Sequence, residues 1–131
     1  MDCQGKKVLV MAGPAFEDSE LRYPKIRVEE AGAEVLVAGL GEKTYTGKKG
    51  LQVTVDGNME DYANQEFDVV VVPGGWAPDK IRMNQAALEI VKKTLARGGV
   101  VGAICHAGWV LASADVIRDK TLTRYIAIKD D

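Results

Sequence analysis

Four short, almost unbroken apolar runs, each cut off by turn-forming residues, constrain what this chain can fold into. They are Lys7–Ala12, Glu34–Gly39, Phe67–Val72 and the stretch at 99–104. Runs this short, without a polar residue at every second position, are the pattern of strands covered on both faces. Helical spacing fills the gaps. One helix opens near Asp18, a candidate N-cap, places Leu21, Pro24, Val28 and Ala31 on one face and stops at Gly32. Pro24 forces a kink there unless the helix starts late. A second helix is capped by Asn84, carries Ala87, Leu88, Val91 and Leu95, and stops at Gly98-Gly99. Thr44-Tyr45-Thr46, Gly47-Lys48-Lys49-Gly50 and the alternating Leu51, Val53 and Val55 read as a hairpin with one wet face. After residue 104 come a helix, a polar turn at Arg118-Asp119-Lys120 and a last short strand around Leu122–Tyr125. Alternating strands and helices with apolar strands predict an α/β fold, a mostly parallel sheet with helices on both faces, as a single domain over residues 1–131.

Charge and composition narrow the function classes. Seventeen Lys and Arg against nineteen Asp and Glu leave a net charge of -2. No strongly basic field exists, so stable nucleic-acid binding and an anionic membrane are not expected. No apolar stretch approaches the roughly 20 residues of a membrane helix. The polar start, Met1 to Lys7, is not a signal peptide. Two cysteines, Cys3 and Cys105, make no disulfide framework. A soluble, cytoplasmic protein is the expectation. One histidine and no paired cysteines leave nothing for a metal to grip. No glycine-rich nucleotide fingerprint is present, so no cofactor is expected.

The ends of three predicted strands carry unusual sequence, and in an open α/β sheet ligands bind at the carboxyl ends of strands. The fourth run ends at Cys105-His106. Ala103 and Ala107, two residues either side of the cysteine, are small, as a sharp strand-to-helix turn requires. A cysteine on such a turn is exposed, rigidly held and favoured as thiolate by nearby backbone N–H groups. His106, the sole histidine, can then serve as base or as imidazolium partner. The third run ends at Pro73-Gly74-Gly75. Gly75 can bring a bare N–H toward a bound carbonyl and, with the N–H of His106, form an oxyanion hole. Glu17 follows the first run and can point into the same cleft, where a carboxyl would donate a hydrogen bond to sulfur. It reads equally well as an acid favoured at a helix N-terminus. Asp79 could orient His106 or be a solvated turn residue. Trp76 and Trp109 flank the site as pocket wall, interface or core.

Several of these stretches, in order along the chain, carry a resemblance. Phe16-Glu17-Asp18-x-Glu20-Leu21 with Tyr23-Pro24, the turn at Pro73-Gly74-Gly75, Ala103-Ile104-Cys105-His106 and Ile128-Lys129-Asp130-Asp131 resemble the PfpI family. These are the intracellular protease I-like proteins of the parkinsonism-associated deglycase and class I glutamine amidotransferase-like superfamily. The resemblance implies a flavodoxin-like three-layer sandwich and a nucleophilic Cys105 hydrogen-bonded by Glu17. It implies an oxyanion hole from Gly75 and His106, and assembly as dimers or hexamers in which the acid at position 79 pairs with a neighbouring subunit's histidine. Gly74, Trp76, Trp109 and Tyr125 become candidate pocket residues. Activities attributed to the family are proteolysis, cofactor-free glyoxalase chemistry and removal of glyoxal or methylglyoxal adducts from proteins and nucleotides.

Departures from the family pattern sharpen these expectations. Ala107-Gly108 stands where Gly-Pro is usual, Asp79 where Glu is common, and Ile126 where proline usually follows the tyrosine. Relatives continue past Lys129-Asp130-Asp131 through further strands and a final helix, which this sequence is expected to lack; if nothing replaces them, apolar sheet is left bare, which favours association with another chain or instability. The leading expectation is a cysteine-dependent hydrolase or lyase acting on reactive carbonyls, with possible peptidase activity. The alternative is a redox-sensing or chaperone-like stress protein using an oxidisable Cys105. An amidotransferase triad would need a second histidine downstream, which is absent.

Overall fold

The computed structural model describes residues 2–131. In chain order the elements are β1 (Lys7–Met11), α1 (Asp18–Glu30), β2 (Glu34–Gly39), β3 (Thr44–Thr46), β4 (Gln52–Thr54), β5 (Gly57–Asn58) and α2 (Met59–Tyr62), then β6 (Val69–Val72), α3 (Ala77–Ile81), α4 (Gln85–Ala96), β7 (Val100–Ala103) and α5 (Gly108–Ser113). Short 3₁₀ turns cover Cys105–Ala107 and Ile126–Ile128. Five strands form one sheet in the order β5-β2-β1-β6-β7, every pair parallel. Val10 lies opposite Val37 on one side and Val71 on the other, so the middle of the sheet is a row of β-branched side chains.

That order explains the layers. From β1 the chain steps outward to β2, whereas from β6 it steps the opposite way to β7. Right-handed crossovers then put α1 and α4 on opposite faces. Accordingly α1 packs on β1, β2 and β6, and α4 packs on β6 and β7. Leu9, Val10, Met11, Val70 and Val72 between the layers are fully buried. This is the flavodoxin-like α/β fold expected from the sequence.

The predicted hairpin forms as a separate two-stranded ribbon with Tyr45 opposite Val53. Tyr45 turns inward, and its hydroxyl accepts from the N–H groups of Leu40 (2.6 Å) and Glu42 (3.0 Å). Asn84 caps α4 as expected, its Oδ1 accepting from Ala87 N at 2.9 Å.

Three local expectations are corrected. The N-cap of α1 is Glu17, not Asp18. The Asp18 carboxylate is instead engaged by the hairpin turn, accepting from Lys49 N (3.0 Å) and Leu51 N (2.8 Å). The helix starts at Asp18 as expected and runs through Pro24, so the alternative of a late start is not taken. The strand around Leu122–Tyr125 does not form: the segment is irregular and exposed, and the chain turns back to bury Ile128. Finally, β7 is not covered on both faces. Among the described residues it is the edge strand, and Val100 is 60% exposed and Ile104, just beyond it, 50%.

Candidate active site

Because β1, β6 and β7 are neighbours in the sheet, the three unusual strand ends meet at one place. Phe16 and Gly75 form an antiparallel bridge just beyond β1 and β6. Glu17 N donates to Gly74 O (3.2 Å) and Trp76 N to Ala15 O (3.0 Å). The close approach requires glycine: Gly75 has φ +73, and a Cβ there would stand 2.5 Å from Glu17 N. Gly74 in turn lies against the next strand end. A Cβ on it would fall 2.7 Å from Cys105 Cβ and 2.9 Å from Ile104 O.

Cys105 is the elbow that the flanking alanines predict. Ile104 is extended (φ -131), and the chain reverses at Cys105 with φ +59 before the 3₁₀ turn begins to wind. For a residue with a Cβ the left-handed region costs about 1–2 kcal/mol, so the thiol is presented at the expense of backbone strain. The reversal brings the adjacent side chains together: Cys105 Sγ lies 3.3 Å from His106 Nδ1. Among the described residues, neither Gly75 N–H nor His106 N–H donates to a protein acceptor.

His106 sits among three aromatic rings. The centroids of Tyr125, Trp109 and Trp76 are 4.4, 5.1 and 5.4 Å from that of the imidazole. Trp76 and Trp109 thus pack around the histidine rather than in the core, and Trp76 is 56% exposed. A cavity of about 440 Å³ opens beside Cys105, walled by Ala103, Ile104, Leu111, Leu122 and Tyr125.

For each of the two carboxylates of the sequence reading, the structure selects the alternative without a contact to the Cys105-His106 pair: Glu17 stands at the N-terminus of α1 and Asp79 is solvated. Glu17 is not hydrogen-bonded to Cys105; its oxygens lie 3.7 Å from Lys48 Nζ and 3.7 Å from Lys49 Nζ. The hairpin turn reaches over the start of α1 and supplies both ammonium groups. Asp79 does not touch His106 within this chain. It is solvated on the first turn of α3, 4.0 Å from Lys80 Nζ. The carboxylate on the cysteine's side of the site is Glu20, one helical turn after Glu17. Glu20 Oε2 accepts from Gly74 N at 2.7 Å. A Cβ on Gly74 would meet both this oxygen (2.5 Å) and Cys105 Cβ (2.7 Å), so carboxylate and cysteine face each other across one missing methyl group. The three-residue spacing put Glu20 on the same helix face as Glu17. Only the tertiary packing chose between them.

Residues 6–131 match the DJ-1/PfpI family. A deglycase of Pyrococcus abyssi is 46% identical over 125 residues, covering 95% of this chain and 75% of that protein. General stress protein 18 of Bacillus subtilis is 35% identical over 129 residues, covering 97% and 75%. Among solved structures, a two-domain protein of Anabaena variabilis with DJ-1/ThiJ/PfpI-like and ferritin-like domains is 42% identical. It superposes with a TM-score of 0.88 over 96% of this chain and 37% of that one. No helix among the described residues is long and apolar enough to cross a membrane.

Proposed function

This chain belongs to the DJ-1/PfpI family, and on that premise we propose that it is a cysteine-dependent hydrolase that removes reactive-carbonyl adducts, of glyoxalase and deglycase type. The observation that carries the reading is the strained elbow: a thiol at φ +59 with an imidazole nitrogen 3.3 Å away. Cys105 Sγ adds to the carbonyl carbon, and a C–S bond forms as the carbonyl π pair moves to oxygen. That oxygen takes its charge between the N–H groups of Gly75 and His106. His106 moves the protons, Glu20 holds the site on the Gly74 side, and Tyr125 lines the cavity. In an adduct the thiolate takes the amine-bearing carbon, and the C–N bond breaks as the amine leaves with a proton from His106. A proton shift between the two dicarbonyl carbons then gives a 2-hydroxy thioester, and water cleaves its C–S bond to free Cys105. In the net reaction, one water and a dicarbonyl adduct give the free amine and a 2-hydroxy acid. One carbon of the dicarbonyl is oxidised and its neighbour reduced, so the electrons balance within the substrate.

The test compares methylglyoxal consumption and adduct removal by wild type with four variants. Cys105→Ser abolishes turnover. Glu20→Gln lowers it about 10²-fold, whereas Glu17→Gln and Asp79→Asn lower it less than fivefold in a monomer. Turnover that survives Cys105→Ser would refute the mechanism. A second reading is favoured by the partial exposure of Cys105 and by the stress-protein name of a relative. No turnover by wild type, with Cys105 oxidising readily to sulfinate, would replace the enzyme by a redox sensor.

A further inference from the structure

The ring that packs against His106 from α5 is itself held by a polar network outside the reacting groups. Trp109 Nε1 donates to Asp131 Oδ2 at 2.9 Å. The other oxygen of that carboxylate lies 3.4 Å from Arg82 Nη2. Arg82 Nε donates to Ser113 Oγ at 2.9 Å, and its guanidinium carbon stands 5.5 Å from the centre of the Trp109 ring. Arg82 follows α3 as its C-cap, and Trp76, on another side of the imidazole, is the N-cap of the same helix. The indole is thus fixed at its edge by a carboxylate and covered by a cation. It has one polar group, a donor, so one acceptor decides its rotation.

We propose that Asp131 and Arg82 are positioning residues that set the imidazole of His106 against Cys105, acting through Trp109. The inference rests on the Cys105-His106 reading above, and neither residue touches a reacting atom. The physical need is specific. The second side-chain torsion of histidine is broad and roughly two-fold, so its own rotamer does not decide whether Nδ1 or Cδ2 faces the sulfur. Packing must decide it. The neighbouring Trp76 and Tyr125 are 56% and 46% exposed, whereas Trp109 alone of the three is tied by a side-chain hydrogen bond. Loosening that tie leaves the pair intact in composition and unfixed in geometry.

The experiment uses a Cys3→Ser background, so that Cys105 is the one reactive thiol. It reads the iodoacetamide alkylation rate, kcat and KM for methylglyoxal, and the ring resonances of His106, which are unambiguous because the chain has one histidine. Asp131→Ala lowers kcat and the alkylation rate about tenfold, leaves KM within about twofold, and shifts the His106 resonances as the indole ring current moves. Asp131→Asn keeps an acceptor and restores most of the loss. Trp109→Phe reproduces the loss, and adding Asp131→Ala to it changes nothing further. Arg82→Gln, which keeps a neutral donor beside Ser113, gives an intermediate loss and supplies the readout if Asp131→Ala unfolds. Unchanged His106 resonances and alkylation in the Asp131 and Arg82 variants overturn the proposal, as do losses that add across the Trp109–Asp131 pair. Absence of turnover in wild type with the alkylation and resonance effects intact refutes the carbonyl reading and leaves the positioning role standing.

Discussion

A single backbone torsion sets the geometry of the candidate site. Cys105 at φ +59 holds its thiol clear of the strand, and glycine would adopt that conformation without the Cβ penalty. Cys105→Gly is therefore expected to abolish turnover while leaving the fold as stable or about 1 kcal/mol more stable. Urea denaturation checks this, and a clear loss of stability would show that the elbow stores no strain. At this scale the sequence was legible where sterics speak: small residues at 103 and 107 demanded a sharp turn, and the turn is there. It was not legible where two like residues compete. Glu17 and Glu20 are equally acidic and one helical turn apart, and which of them meets Gly74 depends on the angle at which α1 leaves the sheet.

Elements interact here through side chains that serve a neighbour's backbone. Asp18 opens α1 yet fastens the turn between β3 and β4, and the N–H of Lys49, with help from Leu51, holds its carboxyl below the usual carboxylate range. A group whose folded value is depressed stabilises above the ordinary carboxylate pKa, and that contribution is lost as pH falls through the depressed value. Asp18→Asn should flatten the acid limb of the stability curve below about pH 4 and raise amide exchange at Lys49 and Leu51. Hydrogen exchange at two pH values measures both, and an unaltered acid limb would assign the acid sensitivity elsewhere. Strands and long helices followed directly from apolar spacing, because burial imposes that spacing. The supposed strand at Leu122–Tyr125 shows the limit: no strand among the described residues pairs with it, so the apolar residues stay exposed and Ile128 becomes the anchor.

For the whole molecule, strand order sets both the site and the exposed edge. β1, β6 and β7 lie side by side, so three distant stretches of sequence share one cleft, while β7 is the edge strand among the described residues and Val100 on it is 60% exposed. Such an edge favours pairing between copies, and a lysine on it opposes pairing. If copies pair through this edge, Val100→Lys shifts that association toward monomer in sedimentation velocity, and identical profiles for both proteins would rule out pairing through β7. The sequence by itself determined the α/β architecture, the elbow cysteine with its histidine, and the need for bare backbone at Gly74-Gly75. Each follows from local sterics or from the period of burial. Only the tertiary structure decided that Glu20 rather than Glu17 faces the cysteine, that the hairpin lysines claim Glu17, and that Trp109, Asp131 and Arg82 stand behind His106. Those choices depend on the angles between packed elements, which no spacing along one element encodes.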